Sequence, residues 1–177
     1  MGKRIALAKT IRSIPDFPKQ GILFRDITTL IKDKAAFRES VDRIAAKFKG
    51  KKIDLVVAVE ARGFIFGGAI ALKLGVGFVP VRKKGKLPWK TKSVTYSLEY
   101  GTDTLEIHED ALRPGVRVLI VDDLLATGGT VKAVAELVEA QGAKIAGVAF
   151  VIELVDLKGR EKLLNYPIVS LVKFEGE

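Results

Sequence analysis

Two adjacent carboxylates, Asp122 and Asp123, stand between an apolar run and a small polar loop in RVLIVDDLLATGGT, residues 117–130. Val118 to Val121 is short enough for a buried strand. Ala126 to Thr130 offers two threonine hydroxyls and two glycines, Gly128 and Gly129. Behind it, VKAVAELVEA places Val131, Val134, Leu137 and Val138 at helical spacing. The predicted order is strand, acidic pair, glycine-bearing loop, helix. Such a loop lets several backbone N–H groups converge on one point. The helix start adds unpaired N–H groups and a partial positive charge, a nest that suits a phosphate monoester. The two carboxylates cannot serve the phosphate itself. They suit hydroxyls a few ångströms away, such as a ribose 2′-OH and 3′-OH, or a divalent cation. The plainer alternative is a polar strand end and a turn, but two glycines at a helix start are costly unless close approach or special dihedrals require them.

Three other clusters carry chemistry. IDLVVAV ends in Glu60-Ala61-Arg62-Gly63, a second charged, glycine-bearing strand end. Arg62 there can grip a pyrophosphate with its planar fork, or pair with Glu60. Arg82, Lys83, Lys84 and Lys86 form a basic run, followed by Trp89, Lys90 and Lys92. Interleaved cations and an aromatic suit nucleic acid, and equally a solvated hairpin. The segment IPDFPKQGILFRDITTLI mixes prolines, a glycine, charges and apolar residues with no single period. Its Phe24 is either core or a stacking face for a flat ring, and Arg25 either pairs with Asp26 or reaches a pocket rim. Glu99, beside the turn glycine Gly101, is a surface carboxylate or a proton carrier.

The elements that must position these groups follow from periodicity. Residues 4–13 predict a short helix ended by Pro15. Asp33 is a plausible N-cap for a helix with Phe37, Val41, Ile44, Ala45 and Phe48 inward. The run IDLVVAV predicts a strand covered on both faces. A helix from Phe64 to Leu74 follows, with Ile65, Ala69 and Leu72 as expected buried positions. Phe78–Val81 and residues 94–100 predict strands, and Thr104–His108 an edge strand. Lys144–Leu154 predicts an internal strand, residues 156–164 a short helix or turn, and IVSLVKF a last strand. The units imply an α/β fold: a central, mostly parallel sheet with helices on both faces. Residues 82–107 make a small antiparallel flap and about the first 30 residues a hood over the active-site edge. No linker divides the chain, so 1–177 is expected to be a single domain.

The stretch VLIVDDLLATGGT resembles the phosphoribosyl pyrophosphate (PRPP) binding motif of the type I phosphoribosyltransferases, and its wording is most similar to members that act on adenine. The resemblance continues through FPKQGILFRDIT, ARGF, RKKGKLP and SLEYG, nearly the whole chain. It implies transfer of the phosphoribosyl group from PRPP to adenine, giving AMP and pyrophosphate, with Mg²⁺ carried mainly by PRPP and water. It assigns the 5′-phosphate to Ala126, Thr127, Gly128, Gly129 and Thr130, and the ribose hydroxyls to Asp122 and Asp123. Pyrophosphate falls to Ala61, Arg62, Gly63, Arg82, Lys83 and Lys86, through a strained peptide and a mobile lid. Adenine falls to Ile22, Leu23, Phe24 and Arg25, and the base proton to Glu99. The resemblance further implies a homodimer. A transferase for another purine would keep the phosphate loop and change only the base pocket.

Composition bounds the rest. With 177 residues and 48% hydrophobic content, the chain can build a real core. It has no cysteine and one histidine, His108, which excludes disulfides and leaves no basis for a transition-metal site or a histidine triad. No apolar run is long enough to cross a bilayer and the N-terminal stretch is too weak for a secretion signal, so the cytoplasm is expected. The net charge of +9 fits polyanionic ligands: phosphorylated small molecules, or, as a less favoured alternative, nucleic acid. The strand-to-helix junctions lack G-x-G-x-x-G, which sets a dinucleotide enzyme aside.

Overall fold

The computed structural model describes residues 5–97 and 101–176. Its centre is a seven-stranded sheet. The strands are β3 (Leu55–Val59), β4 (Gly77–Lys83), β5 (Thr91–Ser97), β6 (Thr102–His108), β7 (Arg117–Leu125), β8 (Lys144–Leu154) and β9 (Ile168–Phe174). Their order is β5-β6-β4-β3-β7-β8-β9. From β4 to β9 all pairings are parallel, while β4–β6 and β5–β6 are antiparallel.

Alternation along each strand feeds two cores. Val56, Ala58, Leu119, Val121, Ala149 and Val151 face one way and meet helices α2 (Lys34–Phe48) and α3 (Arg62–Leu74) through Ile44, Phe48, Phe66 and Ile70. Val57, Val59, Val118, Ile120, Val148 and Phe150 face the other way. They meet α4 (Gly129–Glu139) through Val131, Val134, Leu137 and Val138. With both faces covered, the central strands must be apolar throughout, as the sequence shows. No helix among the described residues is long and apolar enough to cross a membrane.

Asp33 caps α2 as expected, its carboxylate accepting from the N–H groups of Ala35 and Ala36. Several expectations are corrected. The helix expected over 4–13 is a 3-10 turn at Leu7–Thr10 followed by β1 (Arg12–Ile14), which pairs with β2 (Phe24–Asp26) in a separate two-stranded sheet. A short helix α1 (Thr28–Lys32) follows that segment. The strand expected at the edge, β6, is internal, because Arg82 and Lys83 at the end of β4 pair with Glu106 and Leu105; the edge is β5. On α3, Ile65 and Leu72 are 41% and 84% exposed, and the buried face is Gly63, Phe66, Gly67, Ile70 and Ala71. The reason is close packing. A Cβ on Gly67 would stand 2.6 Å from the Ala58 Cβ and 2.9 Å from the Phe78 ring, so small residues bring the helix onto the sheet.

Candidate active site

The chain leaves β3 toward β4 on one side and β7 toward β8 on the other. The sheet order therefore reverses between β3 and β7, and a crevice opens beyond their carboxyl ends. A cleft of about 600 Å³ lies there, bordered by Glu60–Arg62 after β3, Asp122–Val131 from the end of β7 into α4, and Lys83, Tyr96 and Asp103 from the flap.

Strand β7 runs on through Leu125, so Asp122 and Asp123 lie inside it rather than beyond its end. Both are buried. The Oδ1 of Asp122 accepts from the Asp123 N–H at 2.8 Å, and Asp123 Oδ2 meets Arg62 Nε at 2.9 Å. Burial, then the charge of Asp123, push the Asp122 carboxyl well above the usual carboxylate range. Burial also raises Asp123, against the opposing charge of Arg62. Close approach of α3 is required here too: a Cβ on Gly63 would stand 2.9 Å from Asp122 Oδ1. Of these two adjacent buried carboxyl groups, Asp123 makes the ion pair with Arg62, and each has oxygens that can accept from a hydroxyl donor.

The loop Ala126–Thr130 opens α4. Gly128 takes a left-handed φ of +77° at the N-cap, and no side chain caps the helix. The leading N–H groups of such a helix have no intrahelical partner, which suits an anion. Thr130 Oγ1 lies 3.4 Å from the Tyr96 hydroxyl, which ties the loop to the flap.

On the opposite wall, the Glu60–Ala61 peptide is cis, Ala61 is the N-cap of α3, and Arg62 begins it. Arg62 pairs with Asp123, while Glu60 takes a different cation. Its Oε2 accepts from Arg82 Nη2 at 2.9 Å, and its Oε1 from the Lys83 N–H at 2.6 Å. Burial alone would raise Glu60, but the hydrogen bonds from Lys83 and Arg82 outweigh it and hold the carboxyl below its ordinary value. The Lys83 ammonium meets Asp103 at 3.0 Å, and this contact raises its pKa. Lys86 sits in the turn after β4, its carbonyl accepting from Arg82 at 3.0 Å and its side chain exposed.

Ile22, Leu23, Phe24 and Arg25 do not border this cleft. Phe24 approaches it through Arg62, whose guanidinium carbon lies 5.7 Å from the ring centroid, and packs edge-on against Phe17. Asp26 takes Arg12 at 3.2 Å, and Arg25 lies over the Phe174 ring at 3.8 Å and donates to Ser13 Oγ. Glu99 lies outside the described residues. Among the described residues no three His, Cys, Asp or Glu side chains cluster as a metal site; the carboxylates bordering the cleft are the Asp122–Asp123 pair, Glu60, which is held by Arg82, and Asp103, which is held by Lys83.

Sequence reasoning missed Glu60 as the anchor of Arg82, and Tyr96 and Asp103 as members of the cleft wall. The Glu60–Arg82 contact follows from the β3–β4 register: Val59 pairs with Val81, which sets Glu60 beside Arg82. Tyr96 faces Asp103 across the β5–β6 ladder, a pairing no local pattern reveals.

A family profile described as the phosphoribosyl transferase domain matches residues 28–175. The chain is 61% identical over 171 residues to an adenine phosphoribosyltransferase of Clostridium perfringens, covering 97% of this chain and 99% of that protein. It is similar in structure to the adenine phosphoribosyltransferase of Thermoanaerobacter pseudethanolicus, with a TM-score of 0.92, 57% identity, and 95% and 98% of the two chains covered. The Saccharomyces cerevisiae adenine phosphoribosyltransferase, crystallised with an imino-altritol bisphosphate and adenine, matches with a TM-score of 0.88, 45% identity, and coverage of 93% and 96%.

Proposed function

The chain belongs to the phosphoribosyl transferase family, beside its adenine phosphoribosyltransferases, and on that premise we propose that it transfers the 5-phosphoribosyl group of PRPP to adenine, releasing AMP and pyrophosphate. The observation that carries the proposal is one cleft in which a glycine-bearing helix start, a buried acid pair and a cationic wall meet. Those parts match the phosphate, the ribose hydroxyls and the leaving group of PRPP, in that order along the substrate.

Adenine N9 attacks C1′, the C1′–O bond breaks, and its electron pair leaves with pyrophosphate. Positive charge grows on the ribose ring and negative charge on the leaving group. Asp122 and Asp123 accept hydrogen bonds from the ribose hydroxyls and favour the ring charge electrostatically. Ala126 to Thr130 hold the 5′-phosphate. Arg62, its side chain 42% exposed, is free to turn from Asp123 toward pyrophosphate once the hydroxyls arrive. Arg82, Lys83 and Lys86 share that anion with Ala61 and Gly63, and Glu60 holds Arg82 in place until it does. When bound with PRPP, Mg²⁺ would supply further countercharge to the pyrophosphate, and Asp122 and Asp123 are the residues that would hold it. The base is assigned to Ile22, Leu23, Phe24 and Arg25, with Phe24 as the stacking face beside Arg62. Glu99 is given the base proton on its place in SLEYG alone.

The working unit is taken as one domain and as a homodimer. The support is the outward stripe on α3, where Ile65, Ala69 and Leu72 recur along one face, and where Ala69 and Leu72 border a groove with Phe37 and Val41 of α2. A second copy covers such a stripe best, since both copies carry it. A cytoplasmic setting suits a chain without cysteine.

The test is nucleotide formation from PRPP and Mg²⁺ with adenine, hypoxanthine, guanine and xanthine in parallel. AMP should form fastest. An equal or faster rate with another purine removes the adenine assignment, and no product with any base removes the transferase.

A further inference from the structure

The phosphate loop does not stand alone. Behind it lies the turn from Lys158 to Leu163, which no catalytic assignment uses. A Cβ on Gly128 would stand 2.5 Å from the Gly159 carbonyl oxygen and 3.1 Å from its carbon. A Cβ on Gly159 would collide with the Ala126 carbonyl oxygen and stand 3.0 Å from the Gly128 nitrogen. The two backbones therefore touch with no room for a side chain on either. Gly128 needs its glycine twice, for this contact and for its φ of +77°.

An ion pair between a buried carboxylate and a half-buried arginine fixes the turn. Glu153, on β8 directly beside Leu125, is 4% exposed. Its oxygens accept from Arg160 Nε at 2.5 Å and Nη2 at 2.8 Å, and Nη2 also donates to Ser170 Oγ of β9 at 3.2 Å. Such a fork has one geometry. Leu163, fully buried, pins the far end of the turn in the core. The chain thus spends a buried carboxylate, an arginine and a hydroxyl to locate one glycine against the loop that is to hold phosphate.

We propose that Gly159 and the Glu153–Arg160 pair are positioning residues for phosphate binding: they form the back wall that sets the backbone of Ala126–Gly128. This rests on the reading of that loop as the 5′-phosphate site. A wall displaced by a fraction of an ångström misaligns N–H groups aimed at the phosphate and leaves the pyrophosphate side, built from Glu60–Arg62 and Arg82, as it was.

Two ligands separate the sides: ribose 5-phosphate, which needs the loop, and pyrophosphate, which needs the opposite wall. Calorimetric titration of each is run on the full chain, on Gly159→Ala, and on a double variant, Glu153→Leu with Arg160→Met. The double variant removes both charges together and so leaves no unpaired buried ion. Backbone amide shifts at 126–130 are followed in the unaltered chain. The expected result is ribose 5-phosphate affinity lower by about tenfold or more in both variants, as when charge-assisted hydrogen bonds are lost, with pyrophosphate affinity unchanged. Equal loss of both ligands, no loss of either, or failure of both variants to fold overturns the inference and leaves the pair a purely structural one. If the unaltered chain binds ribose 5-phosphate without shifting those amides, the phosphate reading itself falls, and the inference with it.

Discussion

Asp122 and Asp123 occupy the last place where two carboxylates would be put for stability, near the end of a central strand covered on both faces. The folded chain holds the Asp122 proton more tightly than the unfolded chain does, because burial and Asp123 both oppose its charge. The sign follows: the favourable contribution is complete below the ordinary carboxylate value of about 4 and is lost as pH rises through the raised value. Asp122→Asn, which cannot ionise and can still accept from the Asp123 N–H, should therefore raise Tm by a few degrees at pH 7. The two curves should converge as pH falls toward 4; thermal melts across that range check it, and a lower Tm at pH 7 would contradict it. Asp123→Asn probes function. It removes a charge from the proposed ribose grip, so KM for PRPP should rise about tenfold to a hundredfold, with adenine binding little changed. At this scale the sequence was readable where chemistry is local. The acid pair and the glycine loop are contiguous, and each residue type states its use. Glu60, Tyr96 and Asp103 were not, because each touches residues that only the strand pairing and the docking of α4 bring near.

At the scale of elements, the strands β7, β8 and β9 were legible from their apolar runs and flanking turns, and α2 from its cap and stripe. The inward face of α3 was not. That helix, RGFIFGGAIALKL, is apolar around much of its circumference, and its buried face is marked by small residues rather than large ones. Periodicity counts large side chains, so it selected the stripe that faces out. Gly67→Ala tests the packing account directly. The new methyl would meet the Ala58 methyl at 2.6 Å, and β3 behind Ala58 is backbone that cannot yield. A cost of about 1–3 kcal/mol is expected, a fall in Tm of roughly 3–10 °C. An unchanged Tm would mean that α3 does not sit this close. The β1–β2 pairing was not legible either, since the two strands are three residues each and their pairing spans a loop with two prolines.

The whole molecule explains why the site lies where it does. A sheet whose order reverses between β3 and β7 has one crevice at its carboxyl edge, and both charged strand-to-helix junctions open into it. The flap continues the same sheet through β4–β6 pairing, so the cations at 82 and 83 are delivered by a strand rather than by a free loop. The α/β class and the two-sided covering could be read from the alternation of apolar runs and helices. The strand order could not, because it depends on which neighbours each strand chooses. The outward stripe of α3 belongs to this scale as well. Leu72→Asp should shift sedimentation at micromolar concentration from dimer to monomer while leaving the circular dichroism spectrum of the folded chain unchanged, since Leu72 is 84% exposed in the single chain. A wild-type chain that sediments as a monomer would remove the dimer.

The most direct measurement is a crystal structure of the chain with AMP bound. The phosphate should lie within hydrogen-bonding distance of backbone N–H groups between Ala126 and Thr130, and the ribose hydroxyls should reach Asp122 and Asp123. A phosphate seated elsewhere, or a ribose that touches neither carboxylate, would contradict the account.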